Sequence, residues 1–358
     1  MLAFKGGISK MSINTVFVVG AGASKEARLQ TGLELKRHIA QLLDIRYDDF
    51  GHTLEYGDHL IASALFEHVR QPDGRRGNIN PYLHEAWHIR DALPQAISID
   101  HFIDAHRDND KIALCGKLAI VRSILEDERN SLIYCEPSRG SNFDPRVLEK
   151  TWYIPFFQLL TENCGKTDIK ERFKSITLII FNYDRCVEHF IYHALQNYYG
   201  LSAEEVIELV KNIDIYHPYG VVGTLPWVDQ NGAMEFGAEP RSTQLLELSN
   251  KIKTFTEGTD PGSSEILEIR EHMRIANRVI FLGFAFHKLN MPLITPEQVA
   301  STINSDIRCF ATTLEISSSD KEVIEAQIRG LYLGEIIVNT ANLTCSAFFK
   351  EYWRSLSF

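Results

Sequence analysis

Hydrophobic positions along the chain fall into short unbroken runs in some places and spaced faces in others. Thr15 to Val19 (TVFVV) is a continuous apolar run rich in β-branched residues. Ile176 to Phe181 (ITLIIF), Arg278 to Leu282 (RVIFL) and Asp306 to Ala311 (DIRCFA) have the same character. Runs of this kind, without polar alternation, suit strands buried on both faces of a parallel sheet. Each is followed by a segment that can form a helix. The first leads, through a glycine loop, to a helix predicted over Leu33–Leu43. This β–α alternation predicts an α/β fold, Rossmann-like, with a mostly parallel sheet and helices on both faces.

Between residues 45 and 170 the pattern changes. Helical spacing predicts helices over His59–Val69, Pro81–Ala92, Ile112–Glu128 and Trp152–Thr161, with no convincing strand among them and a long loop at Glu136–Pro145. The expected organisation is a Rossmann domain built from residues 1–44 and 171–358, carrying a helical insertion or cap at 45–170. No internal repeat or low-complexity tract interrupts it.

Composition narrows the possible roles. The net charge of −10 sets the chain against general nucleic-acid binding, because a negative surface repels phosphate backbones. The loop Gln71–Gly77 (QPDGRRG) is the one local basic candidate. Six cysteines lie scattered, with no C-x-x-C pair, so neither a zinc ribbon nor a disulfide framework is expected. No apolar stretch approaches the length of a membrane span, and the first residues lack the apolar run of a signal peptide. A reduced, cytoplasmic protein is the expectation.

Chemistry is first suggested by Gly20-Ala21-Gly22-Ala23-Ser24, placed between a buried strand and a helix. Glycines there allow a tight turn and close approach to a diphosphate, which a helix N-terminus would attract. The dinucleotide fingerprint G-x-G-x-x-G is incomplete, since Lys25 occupies the third glycine position, and no P-loop is present. A tight structural turn with Ser24 as helix cap accounts for the same residues. G-x-S-x-G is absent. The segment His101–Asp110, with His101, Asp104, His106 and Asp108, matches no standard metal spacing, and no metal is expected.

Three later motifs follow the glycine loop in order. They are Phe181-Asn182-Tyr183-Asp184 after a strand, Ile215-Tyr216-His217-Pro218-Tyr219-Gly220, and Phe281-Leu282-Gly283-Phe284-Ala285-Phe286 at another strand end. The series resembles the sirtuin superfamily, and most of all the sirtuin-like NAD-degrading effectors of bacterial anti-phage defence. It spans residues 20 to about 313. Deacylases of that superfamily carry a zinc ribbon after the histidine motif, whereas residues 221–280 here contain no cysteine.

The resemblance implies an NAD+ glycohydrolase that releases nicotinamide and ADP-ribose, with NAD as substrate and water as acceptor. Asn182 and His217 would be catalytic: the amide would hold water or a ribose hydroxyl, and the imidazole would take a proton. Gly20, Ala21, Gly22, Ala23, Ser24, Asp184, Gly283 and Phe284 would bind the dinucleotide. The pyridinium leaves as neutral nicotinamide, so no general acid is needed, unlike ordinary glycoside hydrolysis. Unchecked NAD loss is lethal, so the resemblance also implies gating by homo-oligomer assembly or by a separate partner such as a HerA-like ATPase. Other readings are a non-catalytic NAD or ADP-ribose sensor, a sirtuin-type deacylase or ADP-ribosyltransferase, and, last, a nicotinamide redox enzyme.

Overall fold

The computed structural model describes residues 13–48, 53–136, 142–230, 232–254, 257, 260, 262–297 and 307–358. Six strands form its central sheet: β1 (Thr15–Val19), β2 (Ile176–Ile180), β3 (Asp214–Tyr216), β4 (Arg278–Leu282), β5 (Arg308–Thr312) and β6 (Ile337–Ala341). Every pairing is parallel, in the spatial order β3-β2-β1-β4-β5-β6. Chain order reverses at β1, so the crevice beyond the ends of β1 and β4 is a topological switch point, where open α/β sheets place ligands.

The continuous runs became the central strands for the expected reason. β1, β2 and β4 are buried at all five positions. Successive residues supply opposite faces. Phe17, Leu178, Ile180, Ile280 and Phe310 pack on one side with helices over Tyr153–Thr161, Cys186–Tyr199 and Cys345–Leu356. Val16, Val18, Ile179, Val279 and Phe281 face the other side with Ile266, Ile269 and Ile324. The edge strands β3 and β6 are only partly buried, which is why their sequences lack a full apolar run. The strand expected over Asp306–Ala311 begins at Arg308, and Asp306 lies outside the described residues.

A third core is helical. It gathers α1 (Leu33–Leu42), α2 (His59–His68), α3 (Asn80–Ala92), α4 (Ile99–Ala105) and α5 (Asp110–Asn130) with Val222, Leu245, Leu248 and Ile252. Two segments pack across the expected divisions at 44/45 and 170/171. Ile39 and Leu42 of α1 belong to this helical core, while Trp152, Phe156 and Leu160 pack on the sheet. The stretch expected to be free of strands holds a two-stranded antiparallel ribbon, Arg46–Tyr47 with Leu54–Tyr56. Within the expected loop at Glu136–Pro145, residues 137–141 lie outside the described residues. Among the described residues no helix is long and apolar enough to cross a membrane.

Candidate functional site at the switch point

The glycine loop leaves β1 and meets the end of β4 backbone to backbone. Gly20 N donates to Leu282 O at 2.9 Å, and Gly22 N donates to Gly283 O at 3.0 Å. Gly283 sits at φ +56°, and a Cβ there would come within 2.1 Å of Ala23 N. Only glycine combines that left-handed backbone with so close an approach. Ala23 N donates to Gly20 O, so three amides of the loop are bonded to protein carbonyls. Between the loop and α1, the helix expected over Leu33–Leu43 and found at Leu33–Leu42, the chain forms a single turn, Ala21–Ser24, continued by a 3₁₀ turn over Lys25–Ala27. The helix dipole invoked for phosphate binding is correspondingly short.

The loop is clasped from outside. Trp152 Nε1 donates to Ala23 O at 2.9 Å, and the Glu26 carboxylate accepts from Trp152 N and Ser346 N at 2.7 and 3.0 Å. Ser24 does not cap a helix with its side chain. Its hydroxyl instead donates to Asp184 Oδ2 at 2.8 Å and accepts from Asn182 Nδ2 at 2.9 Å. Asp184 Oδ1 accepts from Cys186 N at 3.1 Å, at the start of helix α6 (Cys186–Tyr199). Ser24, Asn182 and Asp184 are all buried. Burial raises the Asp184 pKa, against the opposing pull of the Ser24 and Cys186 hydrogen bonds. Phe284 is buried as well and packs on Phe181, ring centroids 4.9 Å apart.

His217 arrives from the end of β3. Its Nδ1 lies 3.3 Å from Asn182 O and its Nε2 lies 2.7 Å from Glu188 Oε1. Burial, the largest single effect, opposes protonation of this ring, but the Glu188 carboxylate, the Asn182 carbonyl and Asp184 together outweigh it. The pKa is therefore held above the ordinary imidazole value. Both neighbours are acceptors, so the ring satisfies both only as an imidazolium. The sequence motifs therefore converge: His217, Asn182, Asp184, Ser24 and the paired glycines form one connected network.

Three features of the site were not anticipated. Glu188, on the first turn of α6, is the direct partner of His217. Next, a cavity of about 300 Å3 beside His217 is walled by Ile207, Ile213, Ile215, Leu225 and Trp227. Glu188 Oε2 and Thr224 Oγ1, in residues that line this cavity, have no hydrogen-bond partner in the protein. Finally, Arg185 in the F-N-Y-D-R run is 1% exposed and is bonded to Glu128 through Nε and Nη2, at 3.0 and 2.5 Å. Its remaining donors reach the carbonyls of Gly223, Met234 and Glu235. This pair ties the site to α5 and to the 223–237 segment.

The helical core roofs the same end of the sheet. Tyr183 Oη donates to Asp100 Oδ1 on α4 at 2.6 Å, and His101 of that helix meets the His287 ring edge to face at 5.7 Å. The remaining members of the His101–Asp110 segment do not assemble a ligand set among the described residues. His106 Nδ1 is bonded within its own helix to Phe102 O.

No family model matches the chain, and no curated protein matches it.

Proposed function

We propose that the protein cleaves NAD+ at the nicotinamide–ribose bond, giving nicotinamide and ADP-ribose, and that it serves as an anti-phage effector acting by NAD depletion. One observation carries this reading. Residues from four separate segments, at Ser24, Asn182 and Asp184, His217, and Gly283, meet where chain order reverses in the sheet. Ligands of open parallel sheets bind there, and a glycine-lined crossing lets a diphosphate approach the backbone.

In this reading the dinucleotide lies across the ends of β1 and β4, and its nicotinamide ribose is delivered toward His217. Glu188 fixes the imidazole through Nε2 and supports the positive charge it acquires. Nδ1, now 3.3 Å from a carbonyl, is the nitrogen free to exchange that long contact for a ribose hydroxyl or the attacking water. The neutral Asn182 amide positions a hydroxyl without pairing to the pyridinium and retaining it. Glu188 Oε2 and Thr224 Oγ1 offer unsatisfied partners to a polar group entering an otherwise apolar cavity. Departure of nicotinamide leaves an oxocarbenium-like ribose that water captures, and the proton released goes to His217. Helix α4 and its Asp100–Tyr183 contact act as the roof that excludes bulk water.

The direct test mixes the purified chain with NAD+ and follows free nicotinamide, alone and in assembled states, including one with a HerA-like ATPase. Nicotinamide release that stops in Asn182→Ala and His217→Ala supports the reading; inactivity of every assembled state removes it. A second reading, a sensor that binds NAD or ADP-ribose without turnover, is favoured by the double-acceptor surroundings of His217, which leave no lone pair for a proton in this arrangement. His217→Ala separates the two. A sensor retains binding and signalling, whereas the hydrolase retains binding and loses nicotinamide release.

A further inference from the structure

Helix α6 carries Glu188 toward His217 and, one residue on, turns His189 and His193 toward a different cavity. Those histidines are four residues apart and therefore share a helix face. Cys135, from the segment after α5, meets them there. One ligand atom from each of the three residues lies within 4.8 Å of the others, and Cys135 Sγ is 3.5 Å from His189 Nε2. In a tetrahedral zinc site, with Zn–S about 2.3 Å and Zn–N about 2.0–2.1 Å, the sulfur–nitrogen edge is also about 3.5 Å.

The surroundings behave like outer-shell support. The His189 ring lies flat on Phe236, centroids 3.9 Å apart and planes 7° apart. Support that fixes the ring orientation is a common feature of metal-binding histidines. His193 stacks on Phe143 at 5.9 Å and 19°. A cavity of about 850 Å3 opens beside the cluster, and Glu136, Glu235 and Glu239 line it together with Arg129. Three carboxylates against one guanidinium favour a cation.

We propose that Cys135, His189 and His193 form a three-ligand site for a zinc-type divalent ion, with its fourth position facing this cavity. Soft thiolate with imidazole selects zinc and its neighbours over magnesium or calcium, and three protein ligands with one open position are the pattern of a reactive rather than closed site. Binding converts Cys135 to thiolate and releases its proton to solvent through the cavity. The site stands apart from the NAD reading: among the described residues, none of its three side chains is hydrogen-bonded to Asn182 or to the glycine loop. The competing explanation of the same distance is a plain S–H···N hydrogen bond in a cluster that holds no ion.

Cobalt(II) titrated into chelator-treated full-length protein discriminates the two. The expected result is saturation at one equivalent, with the visible bands of a tetrahedral site and a thiolate-to-cobalt charge-transfer band, both bleached by one equivalent of zinc. Cys135→Ser removes the charge-transfer band. His193→Asn, at a partly exposed position that tolerates a polar side chain, keeps the circular dichroism of the parent and weakens cobalt binding by more than about 100-fold, beyond what loss of an outer-shell partner causes. Absence of saturable cobalt binding, or binding that Cys135→Ser and His193→Asn leave unchanged, overturns the proposal.

Discussion

The crossing of the glycine loop with β4 and the cavity beside His217 lie next to each other, but they are built in opposite ways. At the crossing every named polar side chain has a partner: Ser24 joins Asn182 to Asp184, and loop amides are bonded to the β4 end. In the cavity, apolar walls surround two polar atoms with no protein partner, Glu188 Oε2 and Thr224 Oγ1. Buried polar groups are normally satisfied, because an unpaired one costs about 1–3 kcal/mol. The crossing is thus a finished scaffold. The cavity leaves two polar atoms without a protein partner, the place that the proposed hydrolase reading gives to a ligand.

The contrast is broken most severely at Gly283. Gly283→Ala drives a Cβ into Ala23 N and the Gly22 carbonyl carbon at a positive φ, so we expect a loss of more than about 4 kcal/mol, or no folded protein, by urea unfolding. Next comes Arg185→Met, which strands the buried Glu128 carboxylate. A loss of about 3–5 kcal/mol is expected, and Glu128→Gln combined with Arg185→Met should recover part of it. His217→Ala should spare stability more than either, while lowering nicotinamide release by about 10²–10⁴-fold with NAD binding retained by calorimetry. A comparable loss of NAD binding would mean that His217 anchors rather than transfers a proton.

Glu188→Gln sharpens the comparison through pH. The His217 pKa is raised in the folded state, so its contribution to stability is complete below the unfolded value, about 6.5, and is lost as pH rises through the folded value. The neutral base appears over the same window, so activity should climb as this part of the stability fades. Without the Glu188 carboxylate both transitions should move to lower pH, measurable by paired pH–rate and pH–melting profiles; an unmoved activity limb would remove His217 as the base. The smallest effect is expected from Thr224→Val. Removing an unpartnered hydroxyl should leave stability unchanged or raise it by up to about 1 kcal/mol, while NAD affinity falls by about 3- to 10-fold if the hydroxyl meets the ligand.

These outcomes depend on features of unequal visibility in the sequence. The central strands were legible because burial on both faces demands unbroken apolar residues, as in Thr15–Val19 and Arg278–Leu282. The half-exposed β6, Ile337–Ala341, and the short ribbon near Arg46 left no such trace. The positions of Ser24, Asn182, Asp184, His217 and Gly283 at strand ends could be read from motif and context. Their mutual bonds could not, nor could the pairing of Glu188 with His217, of Arg185 with Glu128, or of Cys135 with two histidines more than fifty residues away.

By itself, then, the sequence determined the parallel α/β class and which strand ends carry polar, glycine-rich chemistry, because strand burial and tight turns act on neighbours in the chain. The tertiary structure alone decided the 3-2-1-4-5-6 order, the division of helices among three cores, and which ionisable groups face each other. Those outcomes depend on contacts between residues far apart in the chain, and desolvation and charge pairing arise only once the layers close.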